Sequence, residues 1–325
     1  MKCPECGVEQ PAGNKFCEDC GGSLVAGANH DEALCPGCGT ASAAIDSSGF
    51  CARCGCERKP AGRDHLEVCV SPRLAGVSDR GNCRHRNEDF LALATVAGGD
   101  VMVVCDGVSS SQNSAEAAQV AAQTTCDALS ETLSASDENW NGRASLAAAL
   151  GAAQAAVRRV PFNSADSTDP PETTIVAAVR RGQRVVVGWV GDSRAYLVDG
   201  GGAAQLTHDH SWMNEVVDAG VLSGEAAALD PKAHSITRTL GGPETGEGAD
   251  APTLIEIDLA GQPAPALLLL CTDGFWECVP DLEQLAVFCN RYVPTGDAAG
   301  LARRAVAHAC QVGGRDNVTV AVLVL

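Results

Sequence analysis

Two stretches of this chain end in the same way. Val101–Gly107 reads V-M-V-V-C-D-G, and Leu267–Gly274 reads L-L-L-L-C-T-D-G. An apolar run of strand length closed by an aspartate and a glycine predicts a buried strand that delivers a carboxylate to the rim of a sheet. A third acidic group, Asp316, stands just before the closing strand, read as Asn317–Leu325. Three carboxylates at strand ends, far apart in sequence, are the donor set of a hard divalent cation in a hydrolytic site. The rest of the chain reads as support for that cluster or as an appendage to it.

A length of 325 residues suits one large domain with a smaller addition. At 45% hydrophobic and 20% charged residues the chain is globular, not disordered. Its formal net charge of -18, with no basic patch in view, argues against nucleic acid as a partner. Bound divalent cations and a plain solvated acidic surface explain that charge equally well. The first residues, Met1-Lys2-Cys3-Pro4-Glu5-Cys6, hold no apolar core of a signal peptide. The densest apolar run, about Ala264–Cys271, falls far short of the roughly 18 residues that a membrane span requires. The expectation is a cytoplasmic protein that makes no use of the membrane, with reduced cysteines. Nine of the 17 cysteines fall in residues 1–65, which marks a boundary.

Within that segment Cys3-x-x-Cys6 and Cys17-x-x-Cys20 are ten residues apart, and Cys35-x-x-Cys38 and Cys51-x-x-Cys54 are twelve apart. Each pair of knuckles supplies four thiolates, the set taken by a tetrahedral structural Zn²⁺. Glycine follows Cys6, Cys20, Cys38 and Cys54, where a tight turn must turn backbone N–H groups toward sulfur. Two structural zincs with no open coordination position are therefore expected, and Cys56, two residues past the last ligand, is either a bystander thiol or a substitute for Cys54. A module this small owes its fold to its metals. It resembles the double zinc ribbons attached to many prokaryotic regulatory proteins, which implies a docking or regulatory role. The expected division is a double zinc ribbon at 1–56, a linker at 57–67 and a large domain at 68–325.

Along the large domain, Val68–Val77 is read as a first strand and Phe90–Val96 as another. The run Ser78–Asp89 between them holds three arginines and three carboxylates. It is either an anion site beside a metal site or a charged hairpin. Ser114–Leu133, capped by Ser114, and Ser145–Val160 are Ala-rich helices. Thr173–Val179 and Arg184–Val190 are neighbouring strands. Gly191-Asp192-Ser193-Arg194-Ala195 has the look of a nucleophile elbow, but Ala195–Val198 continues as strand where an elbow needs a helix. Asp192 thus becomes a fourth strand-edge carboxylate. His208-x-His210, before a helix at Trp212–Ala219, reads more readily as capping and hydrogen bonding than as a metal ligand. Leu222–Asp230 is a short helix, Thr253–Leu259 a strand, and Asp281–Arg291 and Asp297–Val312 are helices. Hairpin-joined strands and paired helices predict antiparallel sheets between helical layers, an α+β class. No glycine-rich phosphate loop is present to bind a nucleotide.

Seven motifs then fall in order: R-x-x-N-E-D (Arg84–Asp89), D-G (Asp106-Gly107), G-D-S-R (Gly191–Arg194), T-x-D-H-S (Thr207–Ser211), T-L-G (Thr239–Gly241), T-D-G-F-W-E (Thr272–Glu277) and D-N-V-T (Asp316–Thr319). Over about residues 70–325 the chain resembles the metal-dependent protein phosphatases of type 2C. The resemblance implies a central antiparallel β-sandwich flanked by helices, in four αββα layers. It implies a binuclear Mn²⁺/Mg²⁺ centre that activates a water against phosphoserine or phosphothreonine. Asp106 would bridge the two metals, Gly107 would offer its carbonyl, Asp273 and Asp316 would hold the second ion, and Asp89 would act through water. Asp192 with Asp273 would hold a weaker third ion, and Arg84 would grip the substrate phosphate. The implied partners are phosphorylated proteins, the targets of a Ser/Thr kinase. A catalytically inactive binding or adaptor protein on the same fold is the alternative. One departure stands out: Val108-Ser109-Ser110-Ser111 replaces the family's glycine-rich turn. It leaves the loop's shape open, and the general acid too, with water or His210 as candidates.

Overall fold

The computed structural model describes residues 63–96, 98–135, 140–163, 169–242, 251–260, 265–292 and 294–325. Residues 1–62, with the eight knuckle cysteines, lie outside the described residues. Leu66–Leu325 forms one compact unit.

Among the described residues eleven strands make two sheets. Strands β1 (His65–Ser71), β2 (Leu74–Asp79), β7 (Arg194–Asp199), β8 (Gly202–Gln205), β10 (Leu267–Cys271) and β11 (Val318–Val324) form one sheet in the order β1-β2-β11-β10-β7-β8. The second holds β3 (Phe90–Val96), β4 (Gly99–Cys105), β5 (Ile175–Arg181), β6 (Arg184–Val190) and β9 (Thr253–Asp258), in the order β3-β4-β5-β6-β9. The pairings from β2 to β8 and throughout the second sheet are antiparallel. Helices α1 (Ser114–Ser134) and α2 (Gly142–Val157) cover the second sheet, and α6 (Leu282–Asn290) and α7 (Ala298–Gln311) cover the first. The expected α+β sandwich between helical layers is the fold observed.

The unbroken apolar runs now have their reason. On β4, Val101, Val103 and Cys105 pack against the α1–α2 layer, while Met102 and Val104 point into the space between the sheets. On β10, Leu267, Leu269 and Cys271 meet the α6–α7 layer, while Leu268 and Leu270 meet the opposite sheet. A strand covered on both faces cannot alternate apolar with polar residues, because neither face meets water. Each fully buried leucine there contributes about 1.5–3 kcal/mol of hydrophobic stabilisation.

Several boundaries differ from expectation. Val68–Val77 is two strands, β1 and β2, split by a turn at Pro72-Arg73, because proline cannot donate to a ladder. Strand β1 begins at His65, inside the stretch read as linker. The N-cap position of helix α1 is Asn113, in a left-handed conformation and with no side-chain capping bond; Ser114 is already the first helical residue, its hydroxyl on Glu88. Helix α2 starts at Gly142, where the Asn141 side chain accepts from the Ala144 N–H at 3.1 Å. Short helices α3 (Trp212–Asp218) and α4 (Gly224–Ala228) lie where helices are expected. No helix among the described residues is long and apolar enough to cross a membrane.

Candidate active site

Antiparallel register gathers the carboxylates. Cys105 pairs with Phe90, so Asp106 after β4 lies beside Asp89 before β3. Cys271 pairs with Val320, so Asp273 lies near Asp316. Ile175 pairs with Val190, which brings Asp192 to the same end of the sandwich. Five aspartates separated by as much as 227 positions (89 to 316) thus share one edge. Asp273 is not quite at a strand end: β10 stops at Cys271, and Asp273 opens a helical turn, α5 (Asp273–Trp276). Gly274 there is obligatory, because a Cβ would sit 2.0 Å from the Asn317 carbonyl oxygen. Gly107 is equally confined, its Cβ falling 2.6 Å from the Ser114 oxygen and 2.8 Å from that of Glu88.

Each aspartate is braced. Asp89 accepts at Oδ2 from Thr272 Oγ1 at 2.9 Å and Thr319 Oγ1 at 2.8 Å. The Asp106 carbonyl accepts from Thr174 N at 2.8 Å and Thr173 Oγ1 at 2.9 Å. Trp276 Nε1 donates to the Asp192 carbonyl at 3.0 Å. Asp316 Oδ1 accepts from Asn317 N at 2.8 Å, and Arg84 donates to its other oxygen. The side-chain oxygen Oδ1 of Asp89, of Asp192 and of Asp273 is nevertheless buried with no hydrogen-bond partner.

The cluster resists ionisation. Burial, then the charges of Asp273 and Asp316, pushes the Asp89 carboxyl up to about 8. Burial and Asp273 push Asp192 up to about 8 as well. Asp106 is raised well above the usual carboxylate range by burial and then by Asp89, Asp273, Asp192 and Asp316. Asp273 rises to about 6 through burial and Asp316, and it shares a hydrogen bond with the Asp106 carboxyl. Among the described residues, no three acidic, histidine or cysteine side chains already form a ready metal-binding group. Buried carboxyls that lower their repulsion by sharing protons adopt this arrangement. The donor set is all oxygen, with three buried acceptors lacking a donor, and it fits hard divalent cations.

Cys105 and Cys271, beside two of these aspartates, are fully buried, with burial driving both thiols upward. They pack; they are not nucleophiles. His210 is also structural. Its Nδ1 accepts from Gly191 N at 3.0 Å, and Nε2 lies 2.9 Å from Thr253 Oγ1 and 3.0 Å from Arg238 Nη1. Burial and the Arg238 charge lower its pKa to about 4, so the ring is neutral, and both nitrogens are committed. It holds the loop and has no proton to deliver.

Two contributors escape sequence reasoning. Arg194 of G-D-S-R grips Asp209 through Nε at 3.0 Å and Nη2 at 2.6 Å and lies 3.6 Å over the Trp276 ring. It therefore ties T-x-D-H-S to T-D-G-F-W-E and steadies the tryptophan that holds Asp192. Glu88 accepts from Ser109 Oγ at 2.8 Å, Ser114 Oγ at 2.6 Å and Arg86 Nη2 at 2.6 Å. The arginine in one motif and the glutamate in another were visible, and Arg86 is local to Glu88, but Asp209 is 15 positions from Arg194, and Ser109 and Ser114 are 21 and 26 from Glu88, so nothing local pairs them.

The sequence pattern of the Protein phosphatase 2C family matches residues 82–309, a span that takes in Arg84, Asp89, Asp106, Asp192 and Asp273 and stops short of Asp316. The chain belongs to the protein phosphatase 2C family. This phosphatase is similar to the serine/threonine phosphatase stp of Listeria monocytogenes serotype 4b, with 30% identity over 252 residues covering 75% of this chain and 92% of the relative. The crystal structure of the Mycobacterium tuberculosis serine/threonine phosphatase PstP/Ppp superposes with a TM-score of 0.60 at 31% identity, covering 78% of this chain and 98% of that one. The catalytic domain of PstP in complex with 2 manganese ions gives a TM-score of 0.58 at 30% identity, with the same coverages. The double zinc ribbon pattern matches residues 3–55.

Proposed function

We propose that this phosphatase hydrolyses phosphoserine and phosphothreonine in proteins, with Asp106, Gly107, Asp273 and Asp316 holding two Mn²⁺ or Mg²⁺ ions. Asp89 would act through water, and Asp192 with Asp273 would hold a weaker third ion. The observation that carries the reading is the set of buried, donorless oxygens on Asp89, Asp192 and Asp273 in a cluster whose carboxyls repel one another. Uncompensated buried acceptors of this kind are costly unless cations meet them. The manganese-bound catalytic domain of PstP supports the same reading.

Bound there, the ions would activate a water and offset phosphate charge at neutral pH. The chain's own groups supply the rest. Arg84 carries its charge on a rigid fork and donates to Asp316, whose hydrogen bond, opposed by burial, raises its pKa further. Sharing Asp316 with a cation would free the guanidinium to take two phosphate oxygens, holding phosphorus in line for attack. Carboxyls kept protonated by burial and by one another's charge would shed those protons on cation binding, so affinity should rise with pH.

Residues 1–56 would be a double zinc ribbon, with Cys3, Cys6, Cys17 and Cys20 on one structural Zn²⁺ and Cys35, Cys38, Cys51 and Cys54 on the other. A linker from residue 57 would join it to the catalytic domain, which begins with β1. The ribbon would dock partners or substrates for a cytoplasmic enzyme of signalling that opposes a Ser/Thr kinase. The test is phosphate release from a phosphothreonine peptide, with and without Mn²⁺, beside an Asp273→Asn control. Mn²⁺-dependent release lost in the variant is expected. No release from folded, Mn²⁺-loaded protein would move the reading to an inactive phosphate-sensing or docking protein.

A further inference from the structure

Glu88 stands apart from the aspartates around it. Its carboxylate accepts side-chain hydrogen bonds from Ser114, Ser109 and Arg86 at once. Its side chain is only 9% exposed, whereas Arg86 is 58% exposed. The carboxylate is thus fully paired and fixed. Its main chain is fixed too: Glu88 N donates to Asn317 Oδ1 at 2.8 Å, and Asn317 Nδ2 donates to the carbonyls of Arg80 and Arg86 at 2.9 and 3.0 Å.

The serines belong to the segment that follows Asp106-Gly107. Ser109 reaches Glu88 from the exposed part of that turn, and Ser114 reaches it from the buried start of α1. Between them, Ser111 Oγ donates to the Val108 carbonyl at 2.8 Å and accepts from Glu172 N at 3.1 Å. Val108 N donates to the Glu172 carbonyl at 3.0 Å. Gly107 is enclosed by the Ser114 and Glu88 carbonyls, so any shift in either moves its peptide.

We propose that Ser109 and Ser114 are positioning residues, which clamp the Asp106–Ser114 turn to Glu88 so that the Asp106 carboxylate and the Gly107 carbonyl are presented in a single arrangement. A turn carrying three consecutive serines has many conformations open to it, and two hydroxyls on one buried carboxylate remove most of them. Preorganised donors raise affinity because less ordering accompanies binding. The inference rests on the metal reading above for its consequence, but the clamp itself is separately measurable.

The experiment compares wild type, Ser109→Ala, Ser109→Thr and Ser109→Ala/Ser114→Ala as full chains. Amide exchange of the 107–112 segment is followed in protein without added Mn²⁺, and Mn²⁺ affinity is measured by calorimetry. The double variant should exchange that segment at least tenfold faster and bind Mn²⁺ at least fivefold more weakly, with the phosphopeptide KM little changed. Ser109→Ala should show part of both effects, and Ser109→Thr, which keeps the hydroxyl, should restore them. Unchanged exchange in Ser109→Ala overturns the clamp even if the double variant fails to fold. Faster exchange with unchanged Mn²⁺ affinity overturns the positioning role. If the wild-type chain binds no Mn²⁺ at this edge, the metal reading fails, while the exchange result still judges the clamp.

Discussion

Replacing Asp192 by asparagine, without added Mn²⁺ or Mg²⁺, should stabilise the protein relative to wild type increasingly as pH rises, with a net gain by pH 8. The native carboxyl sits near a pKa of about 8, because burial and Asp273 oppose its charge. An unfolded aspartate ionises near 3.9. For an acid whose folded pKa is raised, stability is complete below the unfolded value and is lost as pH climbs through the folded one. The window for Asp192 therefore runs from about pH 4 to about pH 8. At 1.36 kcal/mol per pH unit, wild type forfeits about 1.5 kcal/mol by pH 5 and about 5 kcal/mol by pH 8. Asparagine does not titrate, although its buried amide costs about 1–3 kcal/mol where Oδ1 lacks a partner. That cost is independent of pH and cancels between the two conditions. The advantage of Asp192→Asn should thus grow by about 3–4 kcal/mol from pH 5 to pH 8. Urea unfolding followed by tryptophan fluorescence suits the measurement, since Trp140, Trp189, Trp212 and Trp276 all lie in the 66–325 unit. An advantage that stays flat across this range would refute the claim that burial and the Asp273 charge suppress ionisation here.

Three further outcomes are expected. Arg194→Ala leaves the buried Asp209 carboxylate without its charged partner, with Gln205 still donating at 3.3 Å, and removes the cation over Trp276, so urea melts should show a loss of about 3–5 kcal/mol. Thr272→Val with Thr319→Val strips both side-chain donors from Asp89 Oδ2 and should cost about 1–3 kcal/mol per lost partner, with a weaker Mn²⁺ isotherm in calorimetry. Gly274→Ala drives a Cβ against the Asn317 carbonyl at 2.0 Å; it should lower stability by roughly 2–4 kcal/mol and displace Asp273, seen as lost Mn²⁺-dependent phosphate release.

The carboxylates were legible because each closes or opens an apolar run, and such runs occur only where both sheet faces are covered. Asp106, Asp192, Asp273 and Asp316 could therefore be named as candidates from the pattern, whereas Asp89 and Arg84 were named only through the resemblance to the type 2C phosphatases. The antiparallel class was legible from hairpin spacing. The Pro72 turn was misread because the apolar pattern on either side runs on through it. The cap of α1 was misread because Ser114 fits the cap preference, whereas the chain enters the helix one position earlier, at Asn113, and the Ser114 hydroxyl instead donates to a carboxylate 26 positions away.

What the amino-acid order determined alone was the strands, the chemistry delivered at their ends, and the four Cys-x-x-Cys knuckles. What only the tertiary structure decided was which of those ends meet and what holds them. Register places Asp106 beside Asp89, and Asp273 near Asp316. Folding turns Arg194 into a brace, turns His210 into a neutral strut, and gathers Ser109, Ser114 and Arg86 onto Glu88. The division has a physical cause. Local pattern reports what each residue prefers to bury, whereas charge pairing and pKa depend on distances that exist only once remote strands lie side by side.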